Sequence, residues 1–132
     1  MSRLTERIEN FSRAFSLFEQ AKMAYDLNTT NDLYKLALIQ SFEIVFELGW
    51  KILKDQLYLK GVEVFAPRDA IKEAFAANIL PTAQVWIDML KDRNSSTLEY
   101  NQEKVDKIIT SISNIYYDEL KRFYDTIKDF HD

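Results

Sequence analysis

The chain has 132 residues, 47% of them hydrophobic and 14% aromatic, and a net charge of −4. That size suits one domain with one core over residues 1–132, and the acidic balance excludes the basic footprint of a general duplex-DNA binder. Cysteine is absent, which excludes disulfides and thiolate metal sites, and only 2 Gly and 2 Pro supply turns, which points to a few long helices rather than many strands.

No apolar run reaches membrane-spanning length, and charges recur through the first twenty residues, so neither a signal peptide nor a membrane helix is expected. A reducing cytoplasm fits the lack of cysteine. The single histidine is the penultimate residue, His131, so a multi-histidine metal site is excluded. No metal and no cofactor is expected.

In chain order, Leu4, Ile8, Phe11, Phe15, Phe18, Ala21 and Tyr25 recur at steps of three or four and predict a first helix over 4–25. Glu9 and Arg13 are spaced for a favourable pair on its outer face. Asn28 to Asn31 form a turn that also caps the second helix. That helix runs from Asp32 to about Lys60 with two apolar stripes. One comprises Leu36, Ile39, Phe46, Trp50, Leu53 and Leu57; the other comprises Leu33, Ala37, Ile44, Leu48, Ile52 and Leu59. A helix apolar on two sides is central, or shared with a second subunit. Gly49 inside it predicts close approach of another backbone, and Gly61 supplies its left-handed end.

Pro67 starts a short helix to about Ala77, broken by Asn78 and Pro81. Thr82 is placed to cap the next helix, which carries Val85, Trp86, Met89 and Leu90. After a polar segment, Asn101 caps a last helix with Val105, Ile109, Ile112, Tyr116, Leu120, Phe123, Ile127 and Phe130 on one face. The expected fold is all-α: an up-and-down four-helix bundle with a short extra helix between helices two and four.

Chemistry concentrates in two places. Asp92-Arg93-Asn94 and Tyr100 gather a planar cation, an amide and a phenol around a helix end. Arginine there can complement the helix dipole, or its fork can grip a phosphate through two parallel hydrogen bonds. Gln40, Glu43, Glu47, Lys51 and Lys54 form a polar stripe on the otherwise apolar second helix. Such a stripe is a solvated face with a Glu47–Lys51 pair, or the lining of a groove in which a glutamate orients Arg93. Trp86 belongs to the core or forms a wall on which a base stacks.

Arg93 followed by Tyr100 resembles the Arg-(four to six residues)-His-any-Tyr signature of the HEPN superfamily. Within it the chain is most similar to the nucleotidyltransferase substrate-binding proteins. The likeness is carried by Trp86 and Met89 to Asn94, by Ser41-Phe42-Glu43 and Glu47 to Lys51, and by Pro67-Arg68 with the helix after them.

The resemblance implies a helical homodimer that pairs with a separate minimal nucleotidyltransferase and holds a nucleotide or RNA ligand. The residues it marks for binding are Arg93, Asn94, Asp92, Trp86, Glu47 and Glu43, with Glu43 favoured as the partner of Arg93. It also makes Tyr100 a candidate acceptor of adenylate from the partner enzyme. Active members resemble metal-independent ribonucleases whose motif histidine moves the proton; here Leu98 stands in that place and can neither accept nor donate one. The expectation is therefore a non-catalytic binding subunit, the alternative being a ribonuclease toxin that tolerates the leucine.

Overall fold

The computed structural model describes residues 2–96 and 101–130; Leu98, Tyr100 and His131 lie outside them. Helix α1 (Arg3–Leu27) begins where the Ser2 hydroxyl accepts from the Thr5 N–H at 3.1 Å. Helix α2 (Asp32–Leu59) begins likewise at Asn31, whose side chain accepts from the Tyr34 N–H at 3.0 Å. Both caps satisfy donors that the first turn of a helix leaves free. Helix α3 (Pro67–Ala76) starts on proline after Ala66 instead. Helix α4 (Gln84–Ser96) starts two residues beyond Thr82, with the Ala83 carbonyl accepting from the Ile87 N–H. Helix α5 (Gln102–Ser111) is capped by Asn101 and continues through a π-helical turn, Ile112–Tyr116, into α6 (Tyr117–Ile127).

Two helix ends share one device. After α2, Gly61 takes φ 84°, its N–H bonds to the Tyr58 carbonyl, and the Val62 N–H bonds to the Leu57 carbonyl. After α3, Asn78 takes φ 62°, with Asn78 N–H on Phe75 and Ile79 N–H on Ala74. Each left-handed residue closes the last carbonyls of its helix in a Schellman motif, for which glycine and asparagine are the suited residues.

Among the described residues there are helices and no strand, so the chain is all-α. Helix α2 is central, packing on α1, α3, α4, α5, the π turn and α6. The two stripes read from its sequence separate in an instructive way. Ile39, Phe46, Trp50, Leu53 and Leu57 are buried, as is Ile52 from the second stripe. Leu33, Ala37, Ile44 and Leu59 are exposed, and so is Leu36 from the first. One side of α2 thus belongs to the core of this chain, and apolar side chains remain on the other.

The core is strongly aromatic. Phe11 meets Phe123 edge-on at 5.6 Å, and Trp86 meets Phe123 in the same way at 5.0 Å, arrangements favoured by the ring quadrupoles. Gly49 lies where a Cβ would stand 3.3 Å from the Trp86 ring and 3.4 Å from Phe11. The close approach expected at this glycine is therefore made by two side chains, not by a backbone. On α1, Arg13 donates to Asn10 rather than pairing with Glu9, because the amide one turn back lies within reach of its fork.

Gly49→Ala should be nearly neutral in urea unfolding. The helix gains about 1 kcal/mol in propensity, offset by a shift of the two rings. Gly49→Val should cost about 2 to 3 kcal/mol, since the branched side chain overfills the site. Equal midpoints for the two variants would show that the Trp86 contact does not limit the space.

Candidate functional site

Helix α4 carries the arginine to its place. Trp86 is 0% exposed and docks against Phe46, Phe123 and Gly49. Its indole N–H donates to Glu119 on α6 at 2.8 Å. Arg122 grips the same carboxylate with both arms, Nε to Oε1 at 2.8 Å and Nη2 to Oε2 at 2.7 Å. That bidentate hydrogen bond holds the Arg122 guanidinium above its ordinary pKa against the opposing effect of burial. The buried indole donor is thus satisfied, and the first turn of α4 is tied to the first turn of α6.

Two turns further on, the Arg93 guanidinium reaches across to α2. Its Nη2 donates to Glu47 Oε2 at 2.6 Å, and its Nη1 to the Asn94 amide oxygen at 3.3 Å. The other oxygen of Glu47 receives Lys51 at 3.3 Å, the i,i+4 pair read from the sequence. Arg93 and Glu47 are about one-third exposed. They border an open hollow of about 450 Å³ lined also by Gln40, Glu43, Ile44 and Leu48. It has apolar walls, an anchored guanidinium and two carboxylates, a setting suited to a ligand with an anionic group and an apolar or ring-like body.

The expected site residues divide accordingly. Arg93, Asn94, Glu43 and Glu47 come together around the hollow. The glutamate that accepts from Arg93, at 2.6 Å, is Glu47, where Glu43 was favoured; the two lie one turn apart on one face of α2 and line the same hollow. Trp86 is corrected outright: with no exposed face it offers nothing to a base and serves the core. Asp92 turns away from Arg93 and accepts the Tyr116 hydroxyl. Lys54 leaves the polar stripe and lies over the Phe65 ring at 5.9 Å, beside a separate hollow with Arg3 and Tyr58. Tyr100 and Leu98 lie outside the described residues.

Sequence reasoning missed the Asp92–Tyr116 contact. Tyr116 is 4% exposed and its ring stacks on Phe42 at 5.4 Å. Burial, then the Asp92 carboxylate, holds its phenol far above the ordinary range, so it stays a proton donor. Its neighbour Tyr117 faces α1 instead, donates to Glu19 at 2.9 Å, and is pushed up to about 12 by burial first and that hydrogen bond second.

The chain is an all-α domain in which α4 sets the Arg93 guanidinium over α2. The chain belongs to the nucleotidyltransferase substrate binding protein like family, whose model matches residues 6–129. No curated protein matches it in sequence. Among solved structures, it is similar to a chain of the tri-AMPylated Shewanella oneidensis HEPN toxin in complex with MNT antitoxin. The TM-score is 0.77 at 14% identity, covering 98% of this chain and 100% of that one. A chain from a toxin–antitoxin structure with AMP-PNP matches with the same TM-score, identity and coverage. At that identity the likeness is one of fold.

Exposed ion pairs contribute about 0 to 1 kcal/mol, so Arg93→Ala and Glu47→Ala should each lower urea-unfolding stability by less than about 1 kcal/mol. A loss of about 3 kcal/mol or more from Arg93→Ala, the scale of a broken buried pair, would make the arginine a structural strut rather than a binding group.

Proposed function

We propose that this protein is a non-catalytic binding subunit that pairs with a separate minimal nucleotidyltransferase and holds a nucleotide-bearing substrate against Arg93. The observation that carries the reading is the Arg93 guanidinium, anchored by Glu47 but still open to a hollow lined by Glu43 and Leu48. Family membership and the toxin–antitoxin complexes of similar fold support the choice of partner. Asn94 and Glu43 orient the ligand, and the fork of Arg93 takes its phosphate. Tyr100, close behind Arg93 in sequence, is the acceptor if the partner transfers adenylate, which would set a phosphodiester within a few residues of the arginine. The whole acts in the cytoplasm. No helix of the described residues is long and apolar enough to cross a membrane.

The binding unit is a homodimer of up-and-down bundles joined across the outer face of α1 and α2. Leu17 is 62% exposed and Ile44 54%, and they edge a hollow of about 480 Å³ with Ala14, Ala24, Tyr34 and Ala37. Gln40 and Ile44 line both this hollow and the one at Arg93. A second copy seated here therefore brings its own arginine hollow alongside. Light scattering at tens of micromolar should give twice the 15.6 kDa chain mass, and Ile44→Glu should return it to the monomer. A wild-type monomer under those conditions defeats the dimer.

Binding and cleavage separate this reading from a ribonuclease toxin. Arg93→Lys should weaken binding of AMP by about five- to a hundredfold, the scale of a lost charge-assisted bond, because charge survives without the bidentate fork. The isolated chain should cleave RNA no faster than its denatured control, having Leu98 where a proton-transfer group is needed. Leu98→His should gain cleavage that Arg93→Ala removes. Cleavage by wild type, matched by Leu98→Ala, would establish the toxin reading instead.

A further inference from the structure

The π turn Ile112–Tyr116 interrupts an otherwise α-helical run, its last bond joining the Tyr117 N–H to the Ile112 carbonyl. A π turn fits one more residue into the circuit than an α turn, and so resets which side chains beyond it face which neighbour. Here the turn packs against both α2 and α4, the two helices that build the arginine site. Ile112 and Tyr116, at its two ends, are both buried. The Tyr116 ring lies on Phe42, next to Glu43, and its hydroxyl reaches Asp92, next to Arg93.

We propose that Tyr116 is the positioning residue of the Arg93 hollow: through Asp92 its hydroxyl fixes the rotation of the last turns of α4, and so the place of the guanidinium. The inference rests on the binding role given above to Arg93.

Asp92 and Arg93 are consecutive, so they leave α4 about 100° apart, one toward the π turn and the other toward Glu47 on α2. Trp86 holds the first turn of α4, two turns before Arg93. Beyond it the helix is tied on its buried side to Tyr116, through Asp92, and on its outer side to Glu47, through Arg93. A rotation of about 20° at a side-chain radius of about 6 Å moves a tip by about 2 Å. That is enough to break a hydrogen bond to Glu47, or to a bound phosphate. Tyr116 opposes such a rotation because its ring is clamped and its hydroxyl, kept protonated by burial, donates to a carboxylate.

The test is Tyr116→Phe, which keeps the ring and removes the hydroxyl. Nitrogen spin relaxation of the arginine Nε–H groups reads guanidinium order without any ligand. Arg7, paired with Asp55 at 2.6 Å away from this site, is the internal control. The expected result is lost order at Arg93 with Arg7 unchanged, together with AMP binding weaker by about three- to tenfold, the scale of one hydrogen bond. Asp92→Asn, whose amide oxygen still accepts the hydroxyl, should retain the order; Asp92→Leu should lose it as Tyr116→Phe does. Arg93 order unaltered in Tyr116→Phe overturns the proposal, and so does equal loss at Arg93 and Arg7, which would mean general loosening. Lost order at Arg93 alone, with AMP bound by neither wild type nor variant, supports the positioning role and defeats the binding role instead.

Discussion

Everything at the arginine site depends on how closely α4 can approach α2, and that distance is set by an indole ring lying over a glycine. Gly49 leaves room for Trp86 between Phe46, Phe11 and Phe123. The fit is tight enough that a side chain larger than alanine at position 49 would push the Trp86 ring, and α4 with it, outward. Burial of an indole on this scale contributes strongly to docking. Its one polar atom would count against it were Glu119 not there to accept the N–H. Arg122 in turn keeps that carboxylate from being a lone charge at the edge of the core. The sequence Trp86, Glu119, Arg122 is thus one construction, in which each member is placed by the next.

From that anchor the site follows by helix geometry. Arg93 is seven residues past Trp86, two turns along the same side of α4. It therefore emerges over α2 at Glu47, near the level of Gly49. The ion pair itself is partly exposed and contributes little to stability. What it does is hold a long side chain in one region, at the edge of the hollow. Lys51, on the second oxygen of Glu47, adds positive charge on the same side.

Much of this was legible in the sequence, where local chemistry decides. Asn31 and Asn101 mark helix starts because their oxygens serve backbone donors three residues on. Gly61 and Asn78 mark helix ends because they tolerate positive φ. The joint pattern around Trp86, Arg93 and Glu47 pointed to the family and to this end of α4. What was not legible depends on rotation and depth. Glu43 and Glu47 share a face, so spacing could not choose between them. Core and outer side chains were mixed between the two stripes of α2, as Leu36 and Ile52 show, because both stripes are apolar. The π turn leaves only a faint trace, the successive four-residue steps from Ile112 to Tyr116 to Leu120, which an α-helix also accommodates. Trp86 at helical spacing read first as core and second as a wall for a base, and its full burial makes it core.

The same indole has an optical consequence. The chain has two tryptophans, Trp50 and Trp86, both buried, and they sit in different environments. The Trp86 N–H rests on a carboxylate, whereas the Trp50 N–H has no hydrogen-bond partner among the described residues. Emission from Trp86 therefore carries the electrostatic imprint of Glu119 and Arg122, and that of Trp50 does not. With Trp50 replaced by phenylalanine, the remaining fluorophore would watch α4 alone, and the protein would carry a native gauge of the helix that presents Arg93.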